Sequence, residues 1–157
     1  MGRMYAVTFE NVAVTAAQDF FEISPADDKP VLVHGLYLSQ ASDVGDAADE
    51  MLRIKILRGH TTSGSGGSAP TPAPLNSSAG TAAGFAAEVN NTTIASAGTA
   101  VDLHAEAFNI RAGLQYIPTP EARPGASQAN TTLIVRLMAA PADSLSMSGT
   151  LILEELG

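Results

Sequence analysis

The 157-residue chain predicts an all-β fold: an antiparallel β-sandwich, jelly-roll-like, with about eight strands and long loops. Three observations carry this. Apolar residues recur with a period of two, not 3.6, in most patterned segments. These segments are short and are separated by Gly, Pro, Asn and Asp. Aromatic residues make up only 5% of the chain and Ala supplies much of its 45% hydrophobic content, so the core must be aliphatic. At this length a single domain, 1–157, is expected, large enough to bury a real core.

Tyr5, Val7 and Phe9 hold odd register, whereas Val12 and Val14 hold even register. The slip predicts a bulge or tight turn near Glu10 and Asn11. Phe20, Phe21 and Ile23 form a short strand closed by the turn residues Ser24 to Pro30. Val31 to Leu38 follows, with Val31, Val33 and Tyr37 on one face and Leu32, Leu36 and Leu38 on the other. A strand apolar on both faces lies either under two layers or at a subunit interface. The best helical candidate is Asp43 to Leu52, where Ser42 or Asp43 can cap a turn or two.

Leu52, Ile54 and Ile56 then alternate with Arg53, Lys55 and Leu57. Shorter strands are expected at Phe85 to Val89, Thr92 to Ile94, Val101 to Glu106 and Gln115 to Ile117. Leu133, Val135 and Leu137 alternate with Ile134, Arg136 and Met138. At the C-terminus Leu145, Met147, Leu151 and Leu153 share a row with Gly149, while Ser146, Ser148, Thr150 and Glu154 fall mostly on the other face. That is a half-buried strand.

Between the strands lies a long loop, 59–84, Gly/Ser/Pro-rich and without Asp, Glu, Lys or Arg. It has no apolar periodicity with which to offset its ordering entropy, so it is expected to be mobile or held by contacts outside the domain. Within it Pro70, Pro72 and Pro74, followed by Leu75, favour an extended polyproline segment. Such an arm can drape over a neighbouring subunit at low entropic cost, or lie as a tether without specific contacts. A second loop, 118–130, carries three prolines.

A net charge of −8 disfavours nucleic acid and anionic membranes as partners. The chain has no Cys, which excludes disulfides and thiolate metal sites. No secretory leader is visible in MGRMYAVTFE and no apolar run has the length of a membrane span, so synthesis in the cytosol is expected. The Asn-x-Ser/Thr triplets at Asn76, Asn90, Asn91 and Asn130 then read as strand edges and turns.

Chemical motifs are few. Asp43, Asp46, Asp49 and Glu50 cluster, but without the order of a calcium loop, and read as a solvated acidic segment. His34, His60 and His104 are far apart in sequence, and each reads as a satisfied or solvated histidine. No Ser stands in a nucleophile elbow, and Gly64-Ser65-Gly66-Gly67 lacks the Lys and helix of a phosphate loop. Glu154 and Glu155, like Asp27 and Asp28, are adjacent and so point to opposite faces, a poor geometry for shared acid/base work. The expectation is a non-enzyme without cofactor or metal.

The segments MYAVTFENVAVTAAQDFFEI at Met4 to Ile23, EMLRIKILRGHTTSGSGGSAPTPAPLN at Glu50 to Asn76, EAFNIRAGLQYIPTPEAR at Glu106 to Arg123 and APADSLSMSGTLILEE at Ala140 to Glu155 cover most of the chain. In them it resembles small β-sandwich virion proteins of tailed bacteriophages, of the capsid decoration or cement type. The resemblance implies a homotrimer bound to the major capsid protein on the assembled head, or to other virion proteins, after synthesis in host cytoplasm. Leu32, Leu36, Leu38, Pro70, Pro72, Pro74 and Leu75 are the candidate oligomer or capsid interface. The alternative is a tail or fibre module that binds a host glycan or another virion protein. A metal-assisted hydrolase using the acidic cluster stands third.

Overall fold

The structure is a computed structural model that describes the chain except Met1, Val44, Asp46, Ala47, Ala48, Ser78, Ala79, Thr131 and the side chain of Asn130. The strands are β1 (Arg3–Val14), β2 (Gln18–Ser24), β3 (Val31–Gln40), β4 (Met51–Arg58), β5 (Ala73–Pro74), β6 (Ala86–Asn91), β7 (Val101–Asn109), β8 (Leu114–Tyr116), β9 (Gly125–Ala126), β10 (Leu133–Leu137) and β11 (Leu145–Glu155). Eight have five residues or more, and β5, β8 and β9 are short additions. Of the helix expected over Asp43 to Leu52, Val44, Asp46, Ala47 and Ala48 lie outside the described residues, and Met51 and Leu52 open β4. Thr92 to Ile94, expected as a strand, contributes only the isolated pairing of Thr93 with Ser65.

All pairings are antiparallel. The first sheet runs β5-β1-β11-β3-β8, with β9 also on β3, and the second runs β6-β2-β10-β4-β7. Without β5, β6 and β9, the orders 1-11-3-8 and 2-10-4-7 are those of a jelly roll. One continuous apolar core lies between the sheets, from Tyr5, Val7 and Phe9 of β1 through Phe20, Phe21 and Ile23 of β2 to Leu151 and Leu153 of β11.

Two register slips decide which residues reach that core. In β1 the pairing with β11 shifts between Phe9 and Val12, where Asn11 adopts φ 51° and its backbone N–H donates to Ser148 Oγ at 3.0 Å. This is the slip expected near Glu10 and Asn11. In β3 the partners jump from Gly35 opposite Ile152 to Val33 opposite Leu153, so His34 is an extra residue. Side-chain phase therefore changes along the strand, and Val31, Val33, Leu36 and Leu38 all point inward. The strand is not apolar on both faces. Leu36 and Leu38, candidates for an interface, are buried in the chain's own core, and only Leu32 remains half-buried outside it.

Gly149 sits in the inward row of β11 because there is no room for a side chain. A Cβ there would lie 2.6 Å from Phe9 Cε1 and 3.0 Å from Leu38 Cδ2. Phe9 in turn packs on Phe20 and Phe21 at ring separations of 5.8 and 5.3 Å. Gly149→Ala is expected to destabilise by about 1–3 kcal/mol through overpacking. Urea denaturation with an unchanged slope and a lower midpoint checks it.

Candidate interaction surface

The chain itself holds much of the described part of the long loop. From Thr62 to Ser68 it runs beside the edge of the second sheet and makes three two-bond backbone pairings. Thr62 pairs with Ser96 (2.9 and 3.0 Å), Ser65 with Thr93 (2.9 and 3.0 Å) and Ser68 with Val89 (3.0 and 2.8 Å). The strap needs small residues. A Cβ at Gly67 would come 2.0 Å from the Val89 carbonyl oxygen, and one at Gly59, whose φ is 101°, would come 2.1 Å from that of Thr99.

Beneath and beside the strap lie buried polar groups on the outer face of the second sheet. Glu22 of β2, 2% exposed, accepts hydrogen bonds from Ser63 Oγ (2.6 Å), the Gly64 N–H (3.0 Å) and Asn91 Nδ2 (3.0 Å). Asp19 of β2 takes a bidentate pair from Arg136 of β10, at 2.6 and 3.1 Å, and a third bond from the Ala95 N–H at 2.7 Å. Arg136 also donates to the Ala95 carbonyl at 2.8 Å. Its Nη1 lies 3.2 Å from His60 Nε2; since Arg only donates, that nitrogen accepts, and Nδ1–H faces the Ala97 carbonyl at 2.9 Å. Leu57, Ala95 and Ile134 form a small second apolar cluster on this side.

The polyproline segment also docks on its own chain. Ala73 and Pro74 pair with Ala6 and Tyr5 of β1, and the Leu75 N–H donates to the Met4 carbonyl at 2.9 Å. Pro70 and Pro72 are half-buried, whereas Pro74 and Leu75 stay exposed. Of the expected interface residues, then, Pro74 and Leu75 offer open surface, with partial contributions from Leu32, Pro70 and Pro72.

Several other titratable groups are engaged in pairs. His34 Nε2 meets Glu154 Oε2 at 2.7 Å on the outer face of the first sheet, where Glu154 also accepts from the Gly2 N–H at 3.0 Å. The His34 hydrogen bond is the main cause that lowers the Glu154 pKa below its usual range, with burial opposing it. A carboxylate with a lowered folded pKa stabilises above its unfolded pKa, and the contribution is lost as pH falls through the folded value. The gap in Tm between wild type and Glu154→Gln is expected to be full above about pH 5 and to close on acidification, within the roughly 0–1 kcal/mol range of such pairs. Thermal melts across that window check the sign.

Glu155, pointing to the other face as its neighbour's parity requires, is fully buried and accepts two hydrogen bonds from the Gly84 N–H, with Lys29 Nζ at 3.6 Å. Asp46 of the acidic cluster lies outside the described residues; Asp49 is bonded by Asn109, and Glu50 Oε2 by the Ala142 N–H. Among the described residues no three His, Asp or Glu converge as a metal site would require.

Two broad surface features remain. A groove of about 420 Å³ crosses the outer face of the first sheet, lined by Thr8, Glu10, Tyr37, Ser39, Ser148 and Thr150 among others. Tyr37 is 37% exposed and lies along Gly35, where a Cβ would be 3.2 Å from its ring. The second feature is β7, the edge of the second sheet. Residues 101, 102 and 105–107 are exposed, so the strand is open on both faces as well as along its backbone. Other edges are shorter or covered: β5 and the bulge at Asn11 interrupt β1, β8 and β9 cover β3, and the strap covers β6.

Sequence reading missed Asp19, Glu22 and Arg136 because single charges at alternating positions look like a solvated face. A signal was present: Ile134 and Leu57 share that face, and apolar residues there mean that something covers it. Compared with protein-family models, curated proteins and solved structures, the chain matches none.

Proposed function

We propose that the chain is a structural protein of a bacteriophage virion, a capsid decoration protein that binds the assembled head as a homo-oligomer and stabilises it. The observation that carries this reading is the combination of a jelly roll whose buried charges are committed to holding its own loops with a long strand edge left open. A protein built this way offers surface for assembly. The jelly-roll architecture hosts viral capsid and lectin domains, among others, so fold alone does not select the role. The resemblance in the four segments adds the phage context, and with it the major capsid protein as partner and the capsid surface as location. A cement protein that binds only the assembled lattice stabilises it by mass action.

Quantitative mass spectrometry of purified virions tests this. The decoration reading expects copies in proportion to the major capsid protein, and heads stripped of the protein that lose heat resistance and regain it on re-addition. Absence from the virion, or only a few copies, overturns it.

A second reading, a tail or fibre module that binds a host glycan, is favoured by one observation. Tyr37 presents an aromatic ring in a groove lined with Thr8, Ser39, Ser148 and Thr150 hydroxyls. A glycan array probed with wild type and Tyr37→Ala decides it: binding lost in the variant supports this reading, and no binding by wild type removes it.

A further inference from the structure

The open edge of β7 is selective about what it pairs with. On β4 its residues His104, Glu106 and Phe108 stand opposite Ile56, Ile54 and Leu52, which face the core, so His104 and Glu106 point inward at the rim of the sandwich. There His104 Nε2 meets Glu106 Oε2 at 2.9 Å, and the His104 ring stacks on Tyr116 of β8 at 4.1 Å. Inward-pointing charges on an edge strand deter casual strand addition, because an arriving strand must set something beside them. A strand that brings hydrogen-bonding partners for the imidazole and the carboxylate to the same points is accepted where an apolar one is not.

β7 itself meets that requirement. Residues directly opposite one another in an antiparallel pair must share a face, so a twofold pairing of β7 with a second copy must centre on a residue. Centred on Ala105, it sets His104 against Glu106 of the second copy and Glu106 against His104 of the second copy. The rim then holds four groups in which each imidazole lies beside a carboxylate that can accept a hydrogen bond from it. Ala105 is also the midpoint of Val101–Asn109, and the irregularity beside Leu103 confines regular pairing to the residues around it. Centring on His104 would oppose two histidines, and centring on Glu106 two carboxylates, both unfavourable. The one irregularity in β7, beside Leu103, falls outside the central three residues. The complementarity of imidazole and carboxylate thus selects the register centred on Ala105.

We propose that β7 is a self-association edge through which two copies of this chain pair antiparallel about a twofold axis at Ala105, continuing the second sheet from one copy into the other. The inference rests on the fold and would survive failure of the virion reading, which the virion census tests separately. A single strand pairing with its flanking side chains lies at the small end of interface sizes, so association is expected to be reversible and concentration-dependent.

Sedimentation equilibrium tests it. The wild type is expected to approach twice the 16.1 kDa chain mass as concentration rises. Glu106→His, which sets histidines against histidines, is expected to weaken association at least about tenfold. The exchange variant His104→Glu with Glu106→His restores the imidazole–carboxylate pairs in the same register and is expected to recover it to within about threefold. Circular dichroism melts establish that each variant is folded. A monomer throughout, a trimer mass, or a dimer indifferent to Glu106→His overturns the proposal; so does an exchange variant that folds but stays monomeric.

Discussion

Asp19→Ala is expected to lower stability by about 3–5 kcal/mol, because it leaves Arg136 buried without its counter-charge. Asp19 is fully buried and accepts three hydrogen bonds: two from the Arg136 guanidinium and one from the Ala95 N–H. Removing it takes the acceptor from both donors at once, at a site where the Arg136 side chain is only 10% exposed. The double variant Asp19→Ala with Arg136→Met removes the charge together with its partner, so its cost is expected to fall well below the sum of the two single costs. A double-mutant cycle by chemical denaturation reads this directly. Additive costs would mean that the pair is not coupled, and the account of this layer would fail.

Much of the sandwich was legible in the residues, and the reasons differ from strand to strand. The alternation in Leu145 to Leu153 and in Leu52 to Ile56 translated directly into half-buried strands, because on a pleated strand burial has a period of two. The slip at Glu10 and Asn11 was legible for the same reason, as a break in that period. In β3 the same kind of break went unread. An added residue at His34 brought two apolar rows onto one face, and an unbroken period of two made them look like two faces. β10 carries the opposite lesson: its outer face bears Ile134 beside Arg136, and there the two-sided apolar pattern did mean a covering layer.

The interaction surface was least legible. The strap residues are Ser, Thr and Gly, whose contribution is backbone and hydroxyl hydrogen bonding and close approach, none of which has a period. Their side-chain partners, Glu22 and Asn91, lie elsewhere in the chain and acquire meaning only once the topology places β2 beside β6. The openness of β7 was hidden too. Whether a strand lies at an edge is a property of the strand order, which local pattern does not encode.

The other end of the 59–84 segment leads to the second large expected effect. Tyr5 of β1 is fully buried, packs edge-on against Phe85 at a ring separation of 5.5 Å, and donates its hydroxyl to the Thr81 carbonyl at 3.1 Å. Its backbone, opposite Pro74, also borders the polyproline segment. Tyr5→Ala is expected to cost about 3–5 kcal/mol, the range for deleting a large aromatic side chain from a packed core. Tyr5→Phe keeps the packing and loses only the hydrogen bond, so about 1 kcal/mol is expected. The two variants separate functions that one side chain combines. If the ring anchors the core and the hydroxyl anchors the loop, Tyr5→Phe should increase hydrogen exchange around 80–84 while leaving the strands protected, whereas Tyr5→Ala should lower the unfolding midpoint of the whole sandwich. Equal loss of protection in loop and strands for Tyr5→Phe would mean that the segment unfolds only with the sandwich. The long uncharged stretch would then be part of the cooperative unit, with its Gly, Ser and Pro residues as integral to the fold as the strands they connect.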